Sequence, residues 1–136
     1  MRRSWRWTIL AGLITVSIVL GYLGASEWGR GSVTPVRLIV PVLSHEARAG
    51  REAFDRLCAA CHGADASGSA VGPPLVHRIY GPGHHADVAF VLAVQRGVRA
   101  HHWRFGDMPP QPSAQTEEID LIVRYVRELQ RANGIE

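Results

Sequence analysis

The 136-residue chain contains no lysine, only two cysteines and only two methionines. All fifteen formally positive side chains are therefore arginine, a bias to which we attach no function. The two cysteines limit thiol chemistry to one place in the chain, and one of the two methionines is the initiator Met1. No internal repeat is evident, which excludes a repeat architecture. Any sulfur-based site must therefore be built from very few residues.

Most of the chain has no net positive charge. Before Ser44, five arginines face one acidic residue, whereas from Ser44 onward ten arginines face eleven acidic residues. The net charge of +3 therefore combines an N-terminal segment of +4 with a remainder of −1. A basic N-terminus of this kind is typical of membrane topology rather than of a nucleic-acid patch. We expect no nucleic-acid partner.

The N-terminus carries a long uncharged run. Residues 8–23, sixteen in all, consist mainly of Ile, Leu, Val, Ala and Gly. With Trp5 and Trp7 the low-polarity stretch approaches the ~20 residues that a bilayer needs. A bulky Leu23 stands at the outer position of the nearest small-residue cleavage motif, which disfavours removal. We predict that residues 1–25 form an N-terminal transmembrane helix, with a cleaved signal segment as the alternative, and that the remainder of the chain is exported.

Residues 26–43 are predicted to be a linker. Two glycines and two prolines interrupt this stretch, and residues 36–40 are too short to fold alone. No second strand-like run exists with which they could pair, so an edge strand has little support. We expect this part of the chain to run extended along the surface of the domain that follows.

Residues 44–136 are predicted to form an all-α domain of three main helices joined by long irregular loops. Ser44 is a suitable N-cap for the first helix, where small and apolar residues recur at three- and four-residue spacing. The second helix is expected over residues 86–96, before a glycine. The third begins after Ser113 or Thr116 and carries acidic residues in its first turn. The second helix is predicted to carry Val88, Val91, Leu92 and Gln95 on one side.

Both cysteines lie in Cys58-Ala59-Ala60-Cys61-His62, and C-x-x-C-H is the attachment signature of a c-type haem. The two thiols stand about one helical turn apart, so each can add to one vinyl group of the porphyrin. His62 is then held against the iron as an axial ligand. The competing interpretation, a thioredoxin-type thiol pair, requires a βαβ pattern that the sequence lacks. A haem also supplies apolar surface that a small, loop-rich domain is short of.

Met108, in Gly106-Asp107-Met108-Pro109-Pro110, is the candidate for the sixth iron ligand. A thioether favours ferrous over ferric iron, so this ligand predicts a comparatively high potential. The two prolines forbid a helix and stiffen the loop. The alternative is a methionine that only packs in a turn. If Met108 binds the iron, both axial positions are filled and small substrates find no open site.

Several segments of residues 44–136 together resemble a class I, single-haem cytochrome c of the membrane-anchored bacterial type. Gly50 and Phe54 stand where the family's first helix carries a glycine, which permits close crossing by the last helix, and an aromatic residue beside it. Tyr125 stands where the last helix presents its aromatic partner. Gly72-Pro73-Pro74-Leu75 resembles the Gly-Pro-x-Leu segment whose proline carbonyl accepts a hydrogen bond from the axial histidine. The segment around Met108 resembles the one that delivers the distal methionine.

The resemblance implies the cytochrome c fold, packed around one covalently attached haem c. It also implies a role for each site residue, including a carbonyl that orients the axial histidine and raises its basicity. Propionate contacts are assigned by side-chain chemistry alone. The expected site residues are Cys58 and Cys61 for covalent attachment, His62 and Met108 for the iron, Pro73 behind His62, and Arg78, Tyr80 and Trp103 for the propionates.

The resemblance further implies electron transfer rather than catalysis. We expect a single-electron carrier on the periplasmic face of a bacterial inner membrane. Its donors would be a quinol-oxidising cytochrome bc-type complex or a periplasmic dehydrogenase, and its acceptor a terminal oxidase. One alternative is a dedicated cytochrome subunit of a periplasmic dehydrogenase. Another is a haem-based gas sensor or peroxidase in which Met108 is labile.

Two adjacent histidine pairs, His84-His85 and His101-His102, remain outside these assignments. Adjacent histidines usually cannot both face one metal without strain, and helix-spaced acids that would complete a site are not apparent. We therefore expect these side chains to face solvent or to contact the propionates.

Overall fold

The computed structural model describes residues 15–17, 19–21 and 37–136. The chain divides into two compact units, residues 1–30 and residues 31–136. In the first unit, residues 15–17 and 19–21 are helical. Among all described residues, no helix has both the length and the apolar character needed to cross a membrane. Most of the predicted anchor at residues 1–25 and of the predicted linker at residues 26–43 lies outside the described part of the chain.

Residues 37–136 are mostly helical, with long irregular loops between the main helices, as the sequence predicts. The loop after the haem motif contains two 3-10 turns that the sequence pattern does not predict. Residues 37–136 form no sheet, and their β pairing is a single isolated antiparallel bridge between Val98 and Met108. The helices are α1 (His45–Leu57), α2 (Ala59–His62), α3 (Asp87–Arg96) and α4 (Thr116–Ala132), and the 3-10 turns are Ala64–Ala66 and Arg78–Tyr80.

The helix ends follow from local side-chain chemistry. The Ser44 hydroxyl accepts a hydrogen bond from the Ala47 N–H at 3.1 Å and so caps α1, as predicted. At the start of α4, the Glu118 carboxylate accepts a hydrogen bond from the Gln115 N–H at 3.0 Å. A carboxylate in the first turn also complements the positive end of the helix dipole. Gly134, with a φ of 73°, follows the end of α4.

Helices α1 and α4 cross at Gly50. A Cβ at this position would lie 2.0 Å from the Leu121 carbonyl oxygen, so no side chain fits while the helices stay where they are. Beside the crossing, the rings of Phe54 and Tyr125 meet edge to face with their centroids 5.6 Å apart, and both are fully buried. The predicted glycine crossing and the predicted aromatic pair are confirmed.

The buried residues of α3 do not lie on the side that the sequence pattern picks out. Val88 is 60% exposed and Gln95 is also exposed, whereas Val94, which the pattern did not select, is buried. Val94 packs against Ile119 and Val123 of α4. The apolar residues of α3 serve two surfaces, α4 on one side and a cavity on another, so burial does not follow a single stripe.

The end of the predicted linker lies against the domain. The Ile39 N–H donates to the Asn133 side-chain oxygen at 2.9 Å, and the Ile39 carbonyl accepts from the Asn133 amide at 2.9 Å. Leu38 packs against the core, and Leu43 is buried in it. Residues 37–43 therefore run along the domain, as expected for this part of the linker.

Candidate haem-binding site

A cavity of about 490 Å³ lies among the helices and the loop over residues 98–111. Its volume falls within the range of roughly 300–1,000 Å³ that is typical of small-molecule and cofactor sites. The cavity wall is mainly apolar, and residues from all four helices contribute to it. The predicted attachment and axial residues, Cys58, Cys61, His62 and Met108, all line it. The fold thus brings two distant segments of the chain to one cavity.

The cysteine motif lies at the junction of α1 and α2. Cys58 follows the last residue of α1, and its carbonyl accepts hydrogen bonds from the N–H groups of Cys61 at 3.1 Å and His62 at 2.9 Å. This single turn sets the spacing between the two thiols, both of which are free. Burial, and to a smaller degree the neighbouring Cys61, raises the pKa of the Cys58 thiol to about 11. Before haem attachment, the Cys58 thiol is therefore neutral at neutral pH.

The imidazole of His62 is buried, and a hydrogen bond to a backbone carbonyl fixes its orientation. Its Nδ1 lies 2.9 Å from the Pro73 carbonyl oxygen, and since a carbonyl only accepts, Nδ1 carries the proton. Nε2 therefore keeps the lone pair that an iron ligand needs. Burial lowers the pKa of His62, and the hydrogen bond to Pro73 opposes this shift in part. The contact that the resemblance implied between these two residues is present.

The approach of the Pro73 segment depends on the preceding glycine. A Cβ at Gly72 would lie 2.5 Å from the carbonyl oxygen of Cys61, well inside van der Waals contact. The same segment is held to the haem motif on its other side, because the Ser69 hydroxyl donates to the Cys61 carbonyl at 2.5 Å. Only a glycine lets the chain pass close enough for Pro73 to reach His62.

Backbone hydrogen bonds hold the loop that carries Met108 to the end of α3. The Val98 and Met108 backbones exchange two hydrogen bonds of 2.9 Å, and the Gln111 N–H donates to the Val94 carbonyl at 2.7 Å. Gly97 has a φ of 74°, and a Cβ there would lie 2.5 Å from the Met108 carbonyl oxygen. The position of Met108 in the cavity wall is therefore determined by the main chain on both sides of it.

Two of the three propionate candidates lie at the cavity. Tyr80 and Trp103 line it, whereas Arg78 is exposed and does not contribute to its wall. Burial raises the pKa of the Tyr80 hydroxyl, and the neighbouring Trp103 indole works against this shift. Among the described residues, the buried Nε1 of Trp103 has no hydrogen-bond partner of normal geometry. Buried donors are rarely left unpaired, so this N–H suits an acceptor, such as a propionate, on a bound cofactor.

Sequence reasoning missed two buried polar residues of α4. Arg127 is 6% exposed and Gln130 is fully buried. Their register offered a signal, because they stand four and seven residues after Val123, on the apolar face of the helix. Together they bind the segment over residues 75–87, which forms part of the cavity wall. The Arg127 guanidinium donates to two side chains, Asp87 Oδ1 at 2.7 Å and Gln130 Oε1 at 2.6 Å. It also donates to the backbone carbonyls of Tyr80 at 2.7 Å and His85 at 2.5 Å. The Gln130 amide donates to the carbonyls of Leu75 at 2.9 Å and Tyr80 at 3.0 Å.

An all-α domain whose cavity carries two thiols, a neutral imidazole and a thioether has the side chains of a covalent haem protein. Comparison with protein families supports this class directly, because the family model for cytochrome c matches residues 47–130. The chain belongs to the cytochrome c family. Comparison with curated proteins and with solved structures gave no match. Membership means that the protein carries covalently bound haem c and that its function is haem-based electron transfer, which is typical of this family.

Proposed function

We propose that the protein is a single-electron carrier whose haem iron is held by His62 and Met108. The observation that supports this most is the convergence of both side chains on one cavity, with the His62 ring held by the Pro73 carbonyl and the Met108 backbone held by that of Val98. Cys58 and Cys61 would attach the haem from one turn of chain, and Trp103 would donate to a propionate. The donor set in the cavity fits the group.

When bound, the haem supplies an iron that alternates between ferrous and ferric states. The residues of the chain determine how easily it does so. Pro73 orients His62 and increases its basicity, while the soft sulfur of Met108 favours the ferrous form and so a comparatively high potential. With His62 and Met108 both on the iron, no coordination position would remain for a substrate, and the bound haem would only exchange electrons with partners.

We propose a membrane-anchored, periplasmic location in a bacterium. Support comes from the arginine-rich start of the chain and the uncharged residues 8–23 that follow it. Anchoring would confine the search for redox partners to the membrane surface and raise their effective concentration. A cytochrome bc-type complex or a periplasmic dehydrogenase as donor, and a terminal oxidase as acceptor, fit that location.

Replacing Met108 with alanine tests the axial assignment. The wild-type ferric protein should show the sulfur-to-iron charge-transfer band, whereas the variant should lose this band and bind external ligands at the iron. The midpoint potential of the variant should fall by at least about 60 mV, which corresponds to a tenfold change in the equilibrium between ferrous and ferric iron. Asp107→Asn is the matched control, because an asparagine oxygen can still accept the hydrogen bond from the Ala100 N–H at 2.8 Å. A Met108→Ala protein with the band and the potential of the wild type would remove Met108 as the ligand.

A further inference from the structure

The two histidine pairs, from loops that are separate in sequence, form one cluster beside the haem cavity. The ring centroids of His84 and His85 are 4.7 Å apart, and each lies 5.3 Å from the centroid of His102. The His101 ring lies 4.2 Å from that of His102, tilted against it by 50°, and 6.2 Å from that of His85. His84 and His102 are exposed and His85 is partly buried. The fold therefore concentrates imidazole groups in one place, which the sequence pattern alone did not indicate.

One member of the cluster is already oriented as a metal ligand would be. Nδ1 of His85 lies 2.6 Å from the carbonyl oxygen of Ile79, so Nδ1 carries the proton and Nε2 keeps its lone pair. Metal-binding histidines are usually held in this way, by a carbonyl or carboxylate on the nitrogen that does not bind. The backbone of His85 is also fixed, because the buried Arg127 donates to its carbonyl.

The ligand atoms are close enough to share one ion. One nitrogen from each of His84, His85 and His102 lies within 4.8 Å of the other two. In a tetrahedral site with bonds of 2.0–2.1 Å, ligand atoms stand roughly 3.4 Å apart, so the nitrogens need to approach by up to about 1.4 Å. His84 and His102 are exposed, so their side chains have room to rotate towards His85.

We propose that His84, His85 and His102 form a binding site for a borderline divalent cation, Zn²⁺ or Cu²⁺, at the edge of the haem cavity. Neutral imidazole suits both ions, and three such ligands leave a position for water. His85 and His102 also belong to the cavity wall, so the cation would lie beside the haem. A positive charge there disfavours the ferric state and raises the midpoint potential. None of this depends on Met108 binding the iron.

The direct test is calorimetric titration of Zn²⁺ into the full-length, haem-loaded, oxidised protein. We expect one Zn²⁺ per chain, with binding weakened at least about tenfold in His84→Gln and in His102→Gln, as is usual when a metal site is damaged. Both side chains are exposed, so the variants should fold, and an unchanged Soret band checks this. His45→Gln is the matched control, because His45 is exposed on α1 outside the cluster.

A second readout separates a metal site from general surface binding. Saturating Zn²⁺ should raise the midpoint potential of the wild type and of His45→Gln, but not that of the His84→Gln/His102→Gln double variant. Zinc affinity equal to that of the wild type in the double variant would overturn the proposal. So would an absence of zinc binding in the haem-loaded protein, since the imidazoles would then be engaged with the haem.

Discussion

Replacing Gly50 with alanine tests whether the crossing of α1 and α4 determines the packing around the haem cavity. The added Cβ would lie 2.0 Å from the Leu121 carbonyl oxygen and 3.0 Å from the Tyr125 Cβ. An ordinary contact of a Cβ is 3.4–4 Å. The two helices must therefore separate locally by roughly 1.4 Å, because a backbone carbonyl cannot rotate away as a flexible side chain can.

Two opposing effects set the magnitude of this change. Alanine is favoured over glycine inside a helix by ~0.8–1 kcal/mol. Overpacking costs ~1–3 kcal/mol, and a clash with the main chain belongs at the upper end of that range. The net loss in the free energy of unfolding is therefore about 2 kcal/mol. For a domain of this size each kcal/mol lowers Tm by ~4–8 °C, so we expect a fall of ~8–16 °C.

Thermal unfolding of the haem-loaded protein, followed by far-ultraviolet circular dichroism, measures this effect. Gly83→Ala is the matched control, because a Cβ at Gly83 meets nothing within 4 Å and the residue is not in the left-handed region. That substitution should be neutral or stabilise by ~0.4–1 kcal/mol through the unfolded chain. If Gly50→Ala raises Tm, as helix propensity alone predicts, the argument from the helix crossing is refuted.

Two further predictions concern the Met108 loop and the buried tyrosine. Gly97→Ala should lower the free energy of unfolding by ~1–3 kcal/mol and weaken the sulfur-to-iron band. The reason is that Gly97 has a φ of 74° and that an added Cβ would meet the Met108 carbonyl. An unchanged band together with an unchanged denaturation midpoint would contradict this prediction. Tyr125→Phe should cost ~1 kcal/mol in urea unfolding, through loss of the 2.9 Å hydrogen bond to Asp65. Burial, followed by Asp65, raises the pKa of Tyr125, so its contribution to stability is complete below the ordinary pKa of ~10 and is lost as pH rises above it. The phenylalanine variant should therefore lose less stability than the wild type above pH ~10, and equal losses would contradict the assignment.

The parts of the site that could be predicted depend on residue type over a short stretch of chain. The two thiols and His62 occupy one turn, so their spacing alone indicates what they can bind. Gly50 and Phe54 are readable in a similar way, because a glycine in a helix is costly unless another backbone approaches it. Each of these predictions concerns a local necessity that few other residues could meet.

The parts that could not be predicted depend on contacts between distant segments. The His84-His85 and His101-His102 pairs are visible in the sequence, but they become one cluster only when two loops meet. For the same reason, the side of α3 that the sequence pattern picks out is not the side that the structure buries. Periodicity locates a helix that rests on one core, but it cannot separate residues that face α4 from those that face the cavity.

Arg127 shows how a polar residue on an apolar face can organise the site. Burying a guanidinium costs several kcal/mol, and its ion pair with the largely exposed Asp87 offsets little of that. Its remaining hydrogen bonds, to the Tyr80 and His85 carbonyls and to Gln130, join α4 to the segment that supplies the cavity wall. A hydrocarbon in its place would remove the donor to the His85 carbonyl and leave the Tyr80 carbonyl with Gln130 alone, so the wall would lose most of its connection to α4. The contribution of Arg127 is therefore to position the cavity wall: it connects the helix that crosses at Gly50 to the residues that border the haem.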